Sequence, residues 1–341
     1  MTKLSKLSIV FALLAAFAPH SPAQDSPAEP TKPLILTEAI PMPGVQGRFD
    51  HFATDGKGHV FVSSVGSNTV EVIDVSARVR THTIPGIPEP QGLAFAPEAN
   101  KLYVGSGEGK LYIYDGTSYD IVKILDFGDD VDNLRYDAPT KRVYAGYGGE
   151  ESGAISAVDT ATNERIPGEF KLGAHPESFQ IEKNGPNIYV NLPDLKQIAV
   201  INRSTQAITR WPFSIEQNFP MALDEAGHRL FVVTHQPARL AIFNTQSGKL
   251  VASLPCVQEA DEVYFDSARK RLYIPGAEAY ISVFQEKDPD HYLPIAKIPS
   301  ALGARTAGYF GKGKKGFDRF FLAVPARSAS AAEMWIYSVQ D

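Results

Sequence analysis

The sequence predicts an all-β fold, a seven-bladed β-propeller of four-stranded antiparallel blades, and three observations predict it. A basic or polar residue, an aliphatic or similar residue and then an aromatic one recur at Phe61, Tyr103, Tyr144, Tyr189, Phe231, Tyr273 and Phe321, spaced 41 to 48 residues apart. A repeat of that length made of short alternating strands marks a propeller blade, a unit that cannot bury its apolar faces alone and must stack on its neighbours. No stretch sustains a 3.6-residue apolar period, which excludes a helical solenoid. Finally, the last repeat runs out of chain before its outer strand, whereas residues 34–40, Leu-Ile-Leu-Thr-Glu-Ala-Ile, form a strand with no partner of their own. Pairing the two closes the ring and removes two open strand edges.

Taken in order, the chain opens with Lys3 and Lys6, an apolar run from Leu7 to Phe17, and the small residues of Ser21-Pro22-Ala23. Residues 1–23 therefore read as a signal peptide, the apolar run being too short to cross a bilayer. Residues 24–32, rich in Pro, Ala and Glu, read as a disordered linker. Residues 33–341 read as one propeller domain. Within each repeat a short apolar first strand comes before the landmark, at Phe52–Thr54, Leu93–Phe95, Leu134–Tyr136, Phe179–Ile181, Met221–Leu223, Val263–Phe265 and near Ala307–Phe310. The turn that follows begins with a carboxylate at Asp55, Asp137, Glu182, Asp224 and Asp266, a residue type that accepts backbone N–H bonds and starts tight turns. Third strands follow the landmark, several ending in Asp or Asn (Asp74, Asp115, Asp159, Asn202, Asn244). Outer strands are legible at Thr81–Ile84, Ile121–Leu125, Ile208–Trp211, Leu250–Leu254 and Ile295–Ile298.

Composition narrows the function. A net charge of −6 gives no support to nucleic-acid binding, which needs a clustered basic face. The single cysteine, Cys256, excludes an internal disulfide and sits in an apolar run where a buried structural thiol is expected. A periplasmic or secreted protein that does not span the membrane, and a monomer, is the expectation.

The pattern of polar, aliphatic, Tyr and Val residues, then an Asn or Gly loop and a Val-Ile-Asp strand, as in Ser67-Asn68-Thr69-Val70-Glu71-Val72-Ile73-Asp74, resembles the YVTN family of bacterial seven-bladed β-propellers. The likeness spans about 300 residues from Pro33 onward. It implies the fold and says little of activity, because its motifs are strand and turn positions. The Trp-Asp dipeptide of WD40 repeats, the tryptophan docking pattern of quinoprotein dehydrogenases and a Cys-x-x-Cys-His haem motif are missing.

Propeller ligands favour the face where the inner strands begin. Aligning the repeats on the turn carboxylate places Arg48 and His175 seven residues before it. Asp50, Gln91, Asp132, Glu177, Asp261 and Arg305 fall five before it, and His51, Asn133 and Glu262 one further on. His235, in a loop between second and third strands, joins the same face. His51, His175, Arg48 and Arg305 are the catalytic candidates, the imidazoles as acid and base and the guanidiniums as anchors for a carboxylate or phosphate. His51, His175 and His235 are the metal candidates; no cofactor is predicted, although a divalent metal would suit the three rings beside so many carboxylates. Strand alternation sends Asp50 and His51 to opposite faces, so His51 is expected to pair with Asp261, Glu262 or Arg305 instead. Bound waters satisfying a polar rim are the plainer reading. The acidic stretch Asp126–Asn133 lacks the glycine and glutamate of a calcium loop. Gly105–Gly109 and Gly146–Gly149 join strands, so neither is a phosphate loop. Gly311–Gly316 reads as a flexible basic hairpin.

Two functions follow. One is an exported binding module holding a small molecule, a cell-envelope component or a partner protein at the central funnel. The alternative is a lyase or lactone hydrolase using the funnel's His, Asp, Glu and Arg residues, an activity implied by likeness of fold alone.

Overall fold

Each aromatic landmark is a wedge between blades. The computed structural model describes residues 32–213, 216–312, 317–328 and 330–341, and among them seven antiparallel sheets form. The expected signal peptide (residues 1–23), the linker up to residue 31 and residues 313–316 of the basic hairpin lie outside the described residues. Seven apolar clusters fill seven gaps between sheets, one to each gap. Phe61 of blade 1 packs into the cluster shared with blade 2 and Tyr103 of blade 2 into that shared with blade 3. The series continues to Phe321 of blade 7, which packs against blade 1. Residues on either side of each landmark point the other way: Val60 and Val62 meet blade 7, and Leu102 and Val104 meet blade 1. Period-two alternation thus supplies both faces of every sheet with apolar side chains. All seven landmarks are at most 4% exposed, and burying side chains of this size contributes about 1.5–3 kcal/mol each.

Blade 1 shows the pattern, with strands Phe49–Thr54, His59–Ser64, Thr69–Asp74 and Val79–Pro85 from the channel outward. The turns are built as the sequence indicates. Asp55 accepts the backbone N–H groups of Lys57, Gly58 and His59. At the end of the third strands, Asp74, Asp115, Asp159, Asn202 and Asn244 each accept the N–H groups two and three residues on. The residue four on, Arg78, Tyr119, Asn163, Gln206 or Gly248, then takes a positive φ to reverse the chain.

Blade 3 departs from the others. Its outer strand, not legible in the sequence, is split into Glu164–Arg165 and Phe170–Lys171, both paired to Ala154–Asp159. Pro167 lacks an N–H for the ladder and Gly168 adopts φ 92°, so the chain bows outward between the two pieces.

Blade 7 takes its outer strand from the other end of the chain. Leu34–Met42 runs antiparallel to Ala332–Val339, with Leu34 opposite Val339 and Met42 opposite Ala332. The Gln340 N–H bonds the Pro33 carbonyl at 3.0 Å, and Glu38 pairs with Arg78 of blade 1 at 3.0 Å. Cys256 is half-buried and free, and burial pushes its thiol up to about 12. Among the described residues no helix is long and apolar enough to cross a membrane.

Candidate functional site

The inner strands begin at one face of the ring, and four of them are bulged there. In blade 1, Phe49 pairs with Ser64 and Phe52 with Val62, leaving Asp50 and His51 opposite Ser63 alone. Register breaks at the same level in Pro90–Ala96, Val131–Asp137 and Glu216–Asp224. A bulge interrupts alternation, so consecutive side chains turn towards one side. This corrects the expectation for Asp50 and His51. Both line the channel, with His51 Nε2 3.8 Å from Asp50 Oδ1. The Ser63 hydroxyl holds the bulge, accepting the His51 N–H at 2.9 Å and donating to the His51 carbonyl at 3.2 Å.

The result is a funnel of about 330 Å³ lined from all seven blades. Arg48, Asp50, His51, Gln91, Asp132, Asn133, His175, Glu177, Asp261, Glu262 and Arg305 come together in it, joined by Asp130. His235 does not join them. Its Nε2–H donates to the Ala260 carbonyl at 2.9 Å and its ring packs 4.3 Å from Phe219, which does face the funnel. His235 lies not in a loop but near the end of the second strand, Arg229–Gln236, one strand further from the axis than the residues of the funnel. The trio His51, His175 and His235 is therefore not assembled as a metal-ligand set. The donor atoms of Asp50, His51 and Asp132 do lie within 4.8 Å of one another.

His51 is buried among these polar groups. Its Nδ1–H donates to Glu262 Oε1 at 3.0 Å, one of the three pairings left open by the sequence, and its Nε2 accepts from Asn133 Nδ2 at 3.1 Å. Burial pulls this imidazole down, but Asp50, Glu262 and Asp132 outweigh it and raise it to about 9. Once Nε2 carries a proton, Asn133 must offer its oxygen instead. A half-turn of the amide does so, and Oδ1 has no partner in the present orientation. His175 donates from Nδ1 to the Gly148 carbonyl at 2.7 Å and directs Nε2 at Asp132 and Glu177, 3.7 and 3.9 Å away. Burial again lowers it, and Asp132 is the main cause that lifts it to about 9.

Six carboxylates share the funnel with three guanidiniums. Arg48 is bonded to Asp50 at 3.0 Å and Arg305 to Asp261 at 2.6 Å. Burial and then the charge of Asp132 push Asp130 up to about 7 and Glu177 up to about 8. Asp261 also rises to about 7, through burial and against the pull of Arg305. Negative charge is thus in excess, and part of it is held off by protons.

Arg135 is the functional residue that the alignment overlooks. Two positions before the turn carboxylate the seven blades carry Ala53, Ala94, Arg135, Gln180, Ala222, Tyr264 and Gly308. Small residues in four blades leave room in the channel, and Arg135, Gln180 and Tyr264 fill it. Gln180 donates to the Met221 carbonyl and Tyr264 to the Ala307 carbonyl. The row of alanines interrupted by long polar side chains was the available signal.

Fold and funnel together define a seven-bladed β-propeller with a polar, acid-rich channel mouth. No family model and no curated protein matches the chain in sequence. Among solved structures it is similar to a chain of a mitotic checkpoint complex, with a TM-score of 0.75 and 13% identity over 97% of this chain and 99% of that one. It is also similar to a chain of Kuenenia stuttgartiensis hydrazine synthase (0.68, 16%, covering 83% and 95%) and to the WD40 repeats of RRP9 (0.71, 10%, covering 90% and 100%). At such identities the likeness is one of fold.

Proposed function

We propose that the protein is an exported, YVTN-like binding module whose funnel holds a small polar ligand through a positively charged group, an ammonium or a divalent metal ion. The observation that carries this reading is the convergence of six carboxylates on one cavity of about 330 Å³, where two of the three guanidiniums are already tied to carboxylates. A cation entering there replaces protons on Asp130, Asp261 and Glu177 and relieves their mutual repulsion. The pattern of Lys3, Lys6, the apolar run to Phe17 and Ser21–Ala23 supports export, and the repeat motif supports the family likeness.

Thermal shifts with putrescine, lysine and manganese as separate probes test it. A ligand at about 100 times its Kd adds about 2.7 kcal/mol, which raises Tm by roughly 5 °C in a chain of this size. Asp132→Asn should abolish the shift while the variant stays folded. No shift with any probe, or an undiminished shift in Asp132→Asn, overturns the reading.

One observation favours a lyase or lactone hydrolase as second reading: carboxyl groups near neutrality stand beside two imidazoles, as acid–base catalysis requires. His51→Ala and His175→Ala should then lose turnover on lactone substrates while keeping their Tm. Equal turnover in wild type and variants rules it out.

A further inference from the structure

Arg135, Met221 and the His51–Glu262 pair line both the funnel and a second cavity of about 430 Å³, and these four residues are the partition that the two share. The walls of the second cavity come from the other halves of the same seven inner strands. Phe52, Phe95, Tyr136, Phe265, Tyr309 and Phe310 bring aromatic rings to it, and Ala53, Ala94 and Ala222 leave space between them. A volume of this order falls in the range of small-molecule sites, about 300–1,000 Å³.

The charges on the partition are not balanced towards this side. Glu262 is matched by His51 at 3.0 Å. Arg135 makes no direct ion pair, although the charge of Glu262, and then those of Tyr264 and Asp132, act on it from a distance. Its Nη1–H donates to the Leu134 carbonyl at 2.8 Å, its guanidinium lies 5.6 Å from the Phe179 ring centre, and among the described residues no carboxylate is within ion-pair distance of it. Lys183, which also lines the cavity, adds a second positive charge whose ammonium has no partner among the described residues. Taking an unpaired guanidinium out of water is unfavourable unless an anion joins it. A planar guanidinium also fits a carboxylate through two parallel bonds.

We propose that this cavity is a second binding site, separate from the funnel, for a small carboxylate with a flat apolar body, its carboxylate on Arg135 and its ring among the aromatic side chains. A cationic or neutral analogue of the same shape leaves Arg135 unmatched and binds less well. Opposite preferences, cations at one end of the channel and apolar anions at the other, follow from the distribution of charge about the partition.

Fluorine NMR titration of the full chain tests this with 4-fluorophenylacetate, using 4-fluorobenzylamine and 4-fluorophenylacetamide as charge controls. The acid is expected to bind saturably. Its affinity should fall at least about tenfold in Arg135→Gln, the loss of one charged pairing, and in Ala222→Leu, which fills the lower cavity without reaching the funnel. Asp132→Asn, which removes a negative charge acting on Arg135, should not weaken it, which separates this site from the cation site above. Because Arg135 faces both cavities, Ala222→Leu decides if Arg135→Gln is misfolded. Overhauser contacts from the acid to the Ala53 and Ala222 methyl groups in the wild-type protein locate it without any variant. Absence of acid binding up to about 10 mM, equal binding of the amine or amide, or contacts elsewhere on the molecule would overturn the proposal.

Discussion

His51 and His175 are stabilised as cations by the same carboxylates that hinder one another. Asp132 is the shared cause: its charge lifts both imidazoles and also helps hold protons on Asp130 and Glu177. The consequence for stability has one sign. Carboxyl groups raised from the ordinary range near 4 to about 7 or 8 contribute stability that is present below pH 4 and lost as pH rises through 7 to 8. Imidazoles raised from 6.5 to about 9 contribute stability present below 6.5 and lost through 9. Carboxylates held low, such as Asp55, which the His59 imidazole and three N–H groups lower against the effect of burial, act only at more acidic pH. The Tm of the ligand-free protein should therefore fall steadily from pH 5 to pH 9, and a level or rising profile in differential scanning calorimetry would contradict the funnel electrostatics. Nearly all of these residues were legible, because one position per repeat is enough to find a ring of side chains. Arg135 was not found, since its row was taken for apolar strand interior.

At the scale of the strand, one bulge decides the character of the site. Simple alternation would have placed Asp50 and His51 on opposite faces; the extra residue opposite Ser63 sets both towards the channel. That arrangement costs the ladder its regular bonds at His51, and the Ser63 hydroxyl satisfies both the N–H and the C=O. Ser63→Ala should leave two buried backbone groups unpaired, destabilise the fold by about 1–3 kcal/mol and weaken binding at the funnel. The neighbouring Ser64 hydroxyl is buried without a partner, so Ser64→Ala should be neutral or stabilising in urea denaturation. If the two variants behave alike, the bulge is not held as described. Strand positions, turn carboxylates and the Asp and Asn turns were readable because each has a local chemical cause. Bulges and the split outer strand of blade 3 depend on pairing with a partner strand, and a single segment does not reveal its partner's register.

Closure belongs to the whole molecule. The cluster between blades 7 and 1 joins Ile40, Met42, Met334 and Ile336 to Phe49, Val60 and Ile73, residues from the two ends of the domain. Deleting residues 33–40 removes the buried Leu34 and Ile40, each contributing about 1.5–3 kcal/mol, and strips Ala332–Val339 of its outer partner. Thermal unfolding of the truncated chain should begin roughly 10 °C or more below that of the full domain; an unchanged transition would mean that the ring does not depend on this strand. By itself, the sequence determined the number of blades, the face of each strand that is buried, the closing pair and most of the residues around the funnel. Each of these follows from periodicity, and periodicity survives in one dimension. Only the tertiary structure decided that His235 stands apart from His51 and His175, that Asp50 and His51 share a face, and that Arg135 divides the channel into an acidic funnel and an aromatic cavity. Those outcomes depend on distances between side chains from different blades, and they are set by how far each strand lies from the axis and by where its ladder slips.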